Sequence, residues 1–446
     1  MRISVEHARL REIQRALPKE GLFAAKEWLL SPEPFFIDAL TADRLERLGH
    51  WLWKFVRAME LLYRLSKRGK KPDWILRYLE NGKPAELLSL ANRSPGQLPR
   101  VIRPDIILTE TGWAISELDS VPGGIGLTAW LNEVYTGLGY DVLGGPTGML
   151  DGFRSVLPSG VIAVSDESAT YRPEMNWLAD RLNNRFGNSS GTGNTQPRWS
   201  VVRAEDYDFR QGAAVYRFFE LFDLPRLPSA RSLFEAAEND NLKITPPLKP
   251  FLEEKLSFAL FWSRPLQQYW RRELSDRHWR ALCQFFPQTW VIDPTPVPHH
   301  AVVPGLEVQS WDEVKKFSQK QREFILKISG FSETAWGSRG VYVGPDLSQA
   351  EWARQIDHAL QCFARSPFIL QRFHRSKLYP QRHLNPATNE IETLRGRVRL
   401  CPYYFVSPEN EIQLGGALAT VVPADKKIVH GMRDAILVPA AIQAGD

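Results

Sequence analysis

Two groups of residues in this chain have the types and spacing to do chemistry. The first is Arg103-Pro104-Asp105, followed by Glu117-Leu118-Asp119. Residues two apart on a strand share a face, so Glu117 points with Asp119 and Arg103 with Asp105. If the two segments pair as a hairpin, three carboxylates meet on one sheet. Such a group repels itself unless hard cations sit among it. Mg²⁺ takes oxygen ligands and bridges a few carboxylates to nucleotide phosphates. Arg103 could hold a negative group on that face. An exposed hairpin with solvated acids is the alternative.

The second group is Phe324-Ile325-Leu326-Lys327-Ile328 and the loop that follows it. A lysine inside an apolar strand is costly unless its ammonium meets an anion or reaches water. The loop, with Ser332, Gly337, Ser338, Arg339 and Gly340, can bring backbone N–H groups to phosphates. It is not the GxxxxGK[ST] phosphate loop, because the lysine precedes the glycines. A plain structural turn is the alternative. Arg399 is a candidate phosphate or carboxylate partner, and Arg217, in an apolar strand, could face a cleft. An ordinary salt bridge or core role competes with each. The stretch from Gly415 to Asp434 is rich in glycine and polar groups and could close over phosphates. His430 within it reads better as a structural histidine than as an acid or base.

These residues must be positioned by three regions. Residues 1–98 read as helical: from Thr41 to Lys67, Leu45, Leu48, Leu52, Phe55, Val56, Met59, Leu62 and Tyr63 recur at helical spacing. Asn92-Arg93-Ser94-Pro95-Gly96 is a boundary. Residues 99–245 hold the carboxylate hairpin, Val101 to Leu108 and Trp113 to Leu118. A small α/β lobe follows, with strands at Val161–Ser165, Trp199–Arg203 and Ala213–Tyr216 and a helix from Pro173 to Asn183. The tract from Gly187 to Asn194 is a loop by composition. Residues 246–446 open with helices over Glu253–Trp262 and Gln267–Phe286. Strands follow at Glu323–Ile328, Val341–Val343 and Phe368–Phe373, with a helix over Gln349–Arg365. Arg397–Val406 and Gly416–Val421 complete an antiparallel sheet.

In this order the two groups resemble the ATP-grasp ligases, specifically the circularly permuted branch that includes glutathionylspermidine synthetases. The resemblance rests on Arg103-x-Asp105, eleven intervening residues, and Glu117-x-Asp119. Glu254-Lys255 at a helix start, Lys327 with its loop, and the strand at Phe368–Phe373 extend it, and it covers roughly residues 100 to 440. Asp119 stands where the family pattern has Asn, which adds a negative charge. Carboxylates ahead of lysines is the permuted order.

The resemblance implies a mixed α+β and α/β fold, ATP-grasp-like and circularly permuted, with a helical N-terminal region and a small α/β lobe. It implies ATP and Mg²⁺ as cofactors. Asp105, Glu117 and Asp119 would be ligands of two Mg²⁺ ions, and Arg103 would steady the transferred phosphoryl group. Lys327 and Lys255 would meet the nucleotide phosphates, and the backbone at Leu370, Gln371 and Arg372 the adenine edge. The implied activity joins a small-molecule or peptide carboxylate to an amine through an acyl phosphate, releasing ADP and phosphate. An ATP-dependent phosphotransferase and a non-catalytic nucleotide-binding protein are the alternatives.

Composition narrows the field. The 446 residues are 43% apolar and 24% charged, which excludes wholesale disorder. A net charge of +5 is small for this size and implies no nucleic-acid partner. Three cysteines are too few and scattered for a disulfide framework or structural zinc. Apolar runs such as Leu256 to Trp262 are too short to cross a membrane. Charges throughout the first turns are unlike a secretory signal, so a cytoplasmic location is expected.

Overall fold

A computed structural model describes residues 4–19, 21–22, 27–186, 198–239, 241–335, 339–429 and 434–443. The expected loop at 187–194, Gly337, Ser338 and His430 lie outside these. The N-terminal region contains α1 (Val5–Ala16), strand β1 (Phe35–Ile37), the long α2 (Ala39–Lys67), α3 (Trp74–Glu80) and α4 (Ala85–Arg93). Asp38 caps α2 by accepting from the Thr41 N–H at 2.6 Å. The apolar stripe anticipated on α2 is buried along Leu45, Leu48, Leu52, Phe55, Met59, Leu62 and Tyr63. It packs on the sheet that carries the hairpin: the Tyr404 hydroxyl donates to the Leu45 carbonyl at 2.6 Å. A Cβ on Gly49 would lie 2.5 Å from the Tyr404 ring, so only glycine permits this approach.

The hairpin is β2 (Val101–Thr109) and β3 (Gly112–Asp119), and α5 (Ile125–Gly137) and α6 (Gly148–Val156) follow it. The small lobe has β4 (Gly160–Val164), α7 (Arg172–Phe186), β5 (Trp199–Arg203), β6 (Ala214–Phe218), α8 (Ala230–Glu238) and β7 (Lys243–Thr245). Its four strands are parallel, in the order β5-β4-β6-β7.

The last region begins with α9 (Leu256–Trp262), α10 (Gln267–Leu274) and α11 (Asp276–Phe285). The helix expected over Gln267–Phe286 is divided because Ser275 adopts φ +69° and caps α11. The helix expected from Glu253 begins only at Leu256. β8 (Thr289–Val291), α12 (Trp311–Lys315), β9 (Phe324–Ile328), β10 (Val341–Val343), α13 (Gln349–Cys362) and β11 (Phe368–Arg372) come next. The four strands form an antiparallel sheet, β10-β9-β11-β8.

β12 (Leu378–Leu384), β13 (Ile391–Val406), β14 (Ile412–Pro423) and β15 (Ile436–Ile442) close the chain. They do not extend the β9–β11 sheet. They join β1 and the hairpin in a seven-stranded sheet, β1-β15-β14-β13-β2-β3, with β12 on β13. The hairpin is thus hydrogen-bonded to the C-terminal strands, Arg399 opposite Ile107 and Tyr404 opposite Ile102. One apolar core runs from Ile13 through α2 and the hairpin to Ala441.

Candidate functional site

The register of the hairpin sets Arg103 opposite Asp119 and Asp105 opposite Glu117. Burial on β13 brings Arg399 to the same place. Arg103 pairs with Asp105 at 3.0 Å and Asp119 at 2.9 Å, and Arg399 pairs with Asp105 at 2.9 Å. Cys401 lies 3.4 Å from Asp105, and burial pushes its thiol up to about 12. It is therefore an inert thiol, not a nucleophile. Burial also raises Asp119 above the usual carboxylate range, although Arg103 opposes the shift.

Lys255 and Lys327 come to this hairpin from far along the chain. The Lys255 ammonium pairs with Glu117 at 2.8 Å and donates to the Ala335 carbonyl at 3.0 Å. Burial alone would lower its pKa, yet Glu117, Glu220 and Asp119 hold it above the ordinary value. Lys255 is thus buried, not an exposed helix lysine. Lys327 sits on β9, a strand buried along its whole length. Its ammonium donates to the Ser116 carbonyl and to Gln371 Oε1, both at 3.0 Å. Both are neutral oxygens, and burial lowers the lysine to about 8.

Two cavities flank Glu117. One, of about 100 Å³, is lined by Asp105, Glu117, Lys327, Gln371, Arg372 and Arg399. The other, of about 70 Å³, is lined by Glu117, Asp119, Glu220, Glu253, Lys255 and Phe331. Glu117 lines both, and its side chain is 35% exposed. An anion suits this donor set, since among the described residues the buried Lys327 ammonium donates to neutral oxygens, with Glu117 and Asp105 acting on it only through their charge. Mg²⁺ would reach Glu117 with Asp105 from one cavity and with Asp119 from the other. As the side chains stand, each of these acids is held by Arg103, Arg399 or Lys255. Among the described residues, no three His, Cys, Asp or Glu side chains converge as a metal site.

The remaining expected residues are dispersed. Gln371 is buried, bridging Lys327 to Thr289 Oγ1 at 3.2 Å. Arg372 lies over the Phe324 ring at 4.7 Å. Its backbone N–H is taken by the Gln288 carbonyl at 2.9 Å, so this donor is not open to an adenine as expected. Ser332 packs beside Thr334 at 3.1 Å. Gly340 belongs to the strand pairing, its carbonyl accepting from Ile328 at 3.1 Å. Arg339 reaches across to Glu167 of the small lobe at 3.0 Å. Arg217 does not face a cleft: it is fully buried, bonded to Glu253 and the Phe219 carbonyl, and to the Pro246 carbonyl at 3.3 Å.

The glycines after Asp119 resemble a phosphate cradle, but the structure fills it from within. Buried Glu174 accepts from the N–H groups of Gly124 at 2.8 Å and Leu127 at 2.9 Å. A Cβ on Gly123 would meet the Tyr171 ring at 2.5 Å, so close packing accounts for the glycine. Sequence reasoning missed Glu220 and Glu253. Glu220 follows the carboxyl end of β6, the end of a parallel strand where α/β sheets hold ligands, and that was the available signal. Burial and the charge of Glu253 raise Glu220 well above the usual carboxylate range.

No family model and no curated protein sequence matches the chain. Solved structures do resemble it. A glutathione synthetase-like effector from Globodera pallida, in the apo form, superposes with a TM-score of 0.57 at 9% identity, covering 98% of both chains. A putative gamma-glutamylcysteine synthetase from Methylobacillus flagellatus gives 0.40 at 12% identity, over 91% of this chain and 89% of that one. A carboxyaminoimidazole ribonucleotide synthase from Aspergillus clavatus, complexed with ATP, gives 0.24 at 12%, over 58% and 69%. The first shares the fold of this chain from end to end, the helical N-terminal region included. The mixed α/β fold expected from the sequence is therefore present. Among the described residues no helix is long and apolar enough to cross a membrane.

Proposed function

We propose that this chain is an ATP-dependent carboxylate–amine ligase of the circularly permuted ATP-grasp type. The observation that carries the reading is the meeting of Lys255 and Lys327 with the acid hairpin at Glu117, across more than 130 residues of sequence. A carboxylate is a poor electrophile and must first accept the γ-phosphoryl group of ATP. That transfer needs the negative oxygens neutralised in place. Lys327, hydrogen-bonded to neutral oxygens among the described residues, would meet the phosphates from the Gln371 side, and Lys255 from the Glu253 side. Arg103 would hold the transferred group. Mg²⁺, held by Glu117 with Asp105 and Asp119, would supply further neutralisation when bound. An amine would then attack the acyl phosphate, giving an amide and phosphate.

A water-free site protects the acyl phosphate, so Glu117, 35% exposed between the two cavities, would have to be covered during the reaction. The larger is below the roughly 300 Å³ of ordinary ligand sites, so admission of a nucleotide requires the β8–β11 sheet to part from the hairpin. A nucleotide-binding protein without turnover is the second reading. The pairing of all three acids with cationic side chains favours it, because metal ions would have to displace those cations. ADP release, screened against paired libraries of acids and amines with mass detection of an amide product, separates the two. ATP binding without ADP release across the panel would overturn the ligase.

A further inference from the structure

A buried ion pair links the N-terminal helical region to both lysines of the site. Lys83 stands in the turn between α3 and α4, its side chain fully enclosed, and its ammonium meets Glu254 Oε1 at 2.6 Å. The turn itself is fixed. Asn81 donates to the Phe363 carbonyl at 3.1 Å, and Gly82, at φ +71°, lies against the Arg365 backbone where a side chain has no room. The second oxygen of Glu254 accepts from the Ser329 hydroxyl. Ser329 Oγ accepts in turn from the Leu256 N–H at 2.9 Å, where α9 begins. The Ser329 carbonyl accepts from both the backbone N–H and the ammonium of Lys255, at 3.3 and 3.4 Å. Ser329 is also the residue that follows β9, two positions beyond Lys327.

We infer that Lys83 and Glu254 are positioning residues, acting through Ser329 to hold Lys255 and Lys327 at a fixed separation on either side of Glu117. The inference rests on the reading of those lysines as phosphate ligands. Stability alone does not account for the pair, because a buried ion pair is often no better than apolar groups of the same volume. Its geometry accounts for it better. One carboxylate is oriented by a lysine from one region, so that its other oxygen fixes a serine that holds the backbone entering both phosphate-binding segments. The N-terminal region thereby becomes part of the site.

The test uses the full chain with Mg·ADP as the probe in calorimetry, beside thermal unfolding. The paired replacement Lys83→Met with Glu254→Leu removes both charges and leaves neither buried alone. Ser329→Ala removes only the hydroxyl between them. Both variants should keep a cooperative transition, and Mg·ADP affinity should fall by about tenfold or more, the loss of one charge-assisted contact. The Lys327 ammonium, followed by NMR on ¹³C-methylated lysines, should shift in both. If the paired variant does not fold, Ser329→Ala decides the matter. Folded variants that bind Mg·ADP as the wild type does, while Lys327→Ala does not, overturn the positioning role. A wild-type chain that binds no Mg·ADP overturns the nucleotide reading and this inference with it.

Discussion

Lys327 has the most exacting environment of any single residue in the site. Burial lowers it to about 8, from an ordinary 10.5. Between those values the unfolded chain carries a proton that the folded chain does not. Stability therefore rises with pH across that window, and the full penalty of burying the charge is felt below it. An anion beside the ammonium reverses the shift. Nucleotide binding at about pH 8.5 should take up a proton, and at about pH 6.5 it should take up none. Calorimetry in two buffers of different ionisation enthalpy measures this, and equal heats at the higher pH would remove Lys327 from the phosphates. Lys327→Ala should weaken nucleotide binding by roughly 10- to 100-fold, the value of a charged hydrogen bond. Asp105→Asn and Glu117→Gln should each lower Mg-dependent ATP turnover by about 10²–10³-fold or more, with circular dichroism unchanged. Wild-type turnover in either would contradict the metal assignment.

At the level of elements, the hairpin does the positioning. It pairs within itself through Arg103 and Asp105, and with β13 through Val101, Ile102, Ile106 and Ile107, where Ile107 stands opposite Arg399. The helix that follows is fixed by Glu174, which satisfies two N–H groups at its start. Glu174→Ala would leave both buried and unbonded, at about 1–3 kcal/mol each. Urea unfolding should show the loss, and an unchanged midpoint would mean that water replaces the carboxylate. Periodicity and strand composition identified α2, β2, β3, β9 and β11 within one or two residues. The division of the helix at Ser275 was not legible, because a serine inside an amphipathic run signals a cap only when its φ is known. The start of α9 was displaced because Glu254 and Lys255 look like helix residues but are committed to Ser329 and Glu117.

The whole molecule is organised so that one core serves the helical region and the main sheet. Leu52, on α2, is fully buried in it, and Leu52→Ala should cost about 2–5 kcal/mol. Because the core is continuous, hydrogen exchange should rise in β13 and β14 as well as in α2. A rise confined to α2 would make the helical region an independent unit. The sequence by itself determined the chemical types in the site and their order: acids on a hairpin, a lysine in an apolar strand, a glycine-rich loop. Alternation and spacing are local, and local rules read them. Only the tertiary structure decided which of these groups meet. Lys255 was drawn to Glu117, Arg399 to Asp105 and Lys83 to Glu254. Arg217, as suggestive in sequence as Arg399, was committed to the interior, and so was Glu174. Buried charges must find partners at close range, and partners more than 130 residues away along the chain become neighbours only when the sheets are assembled.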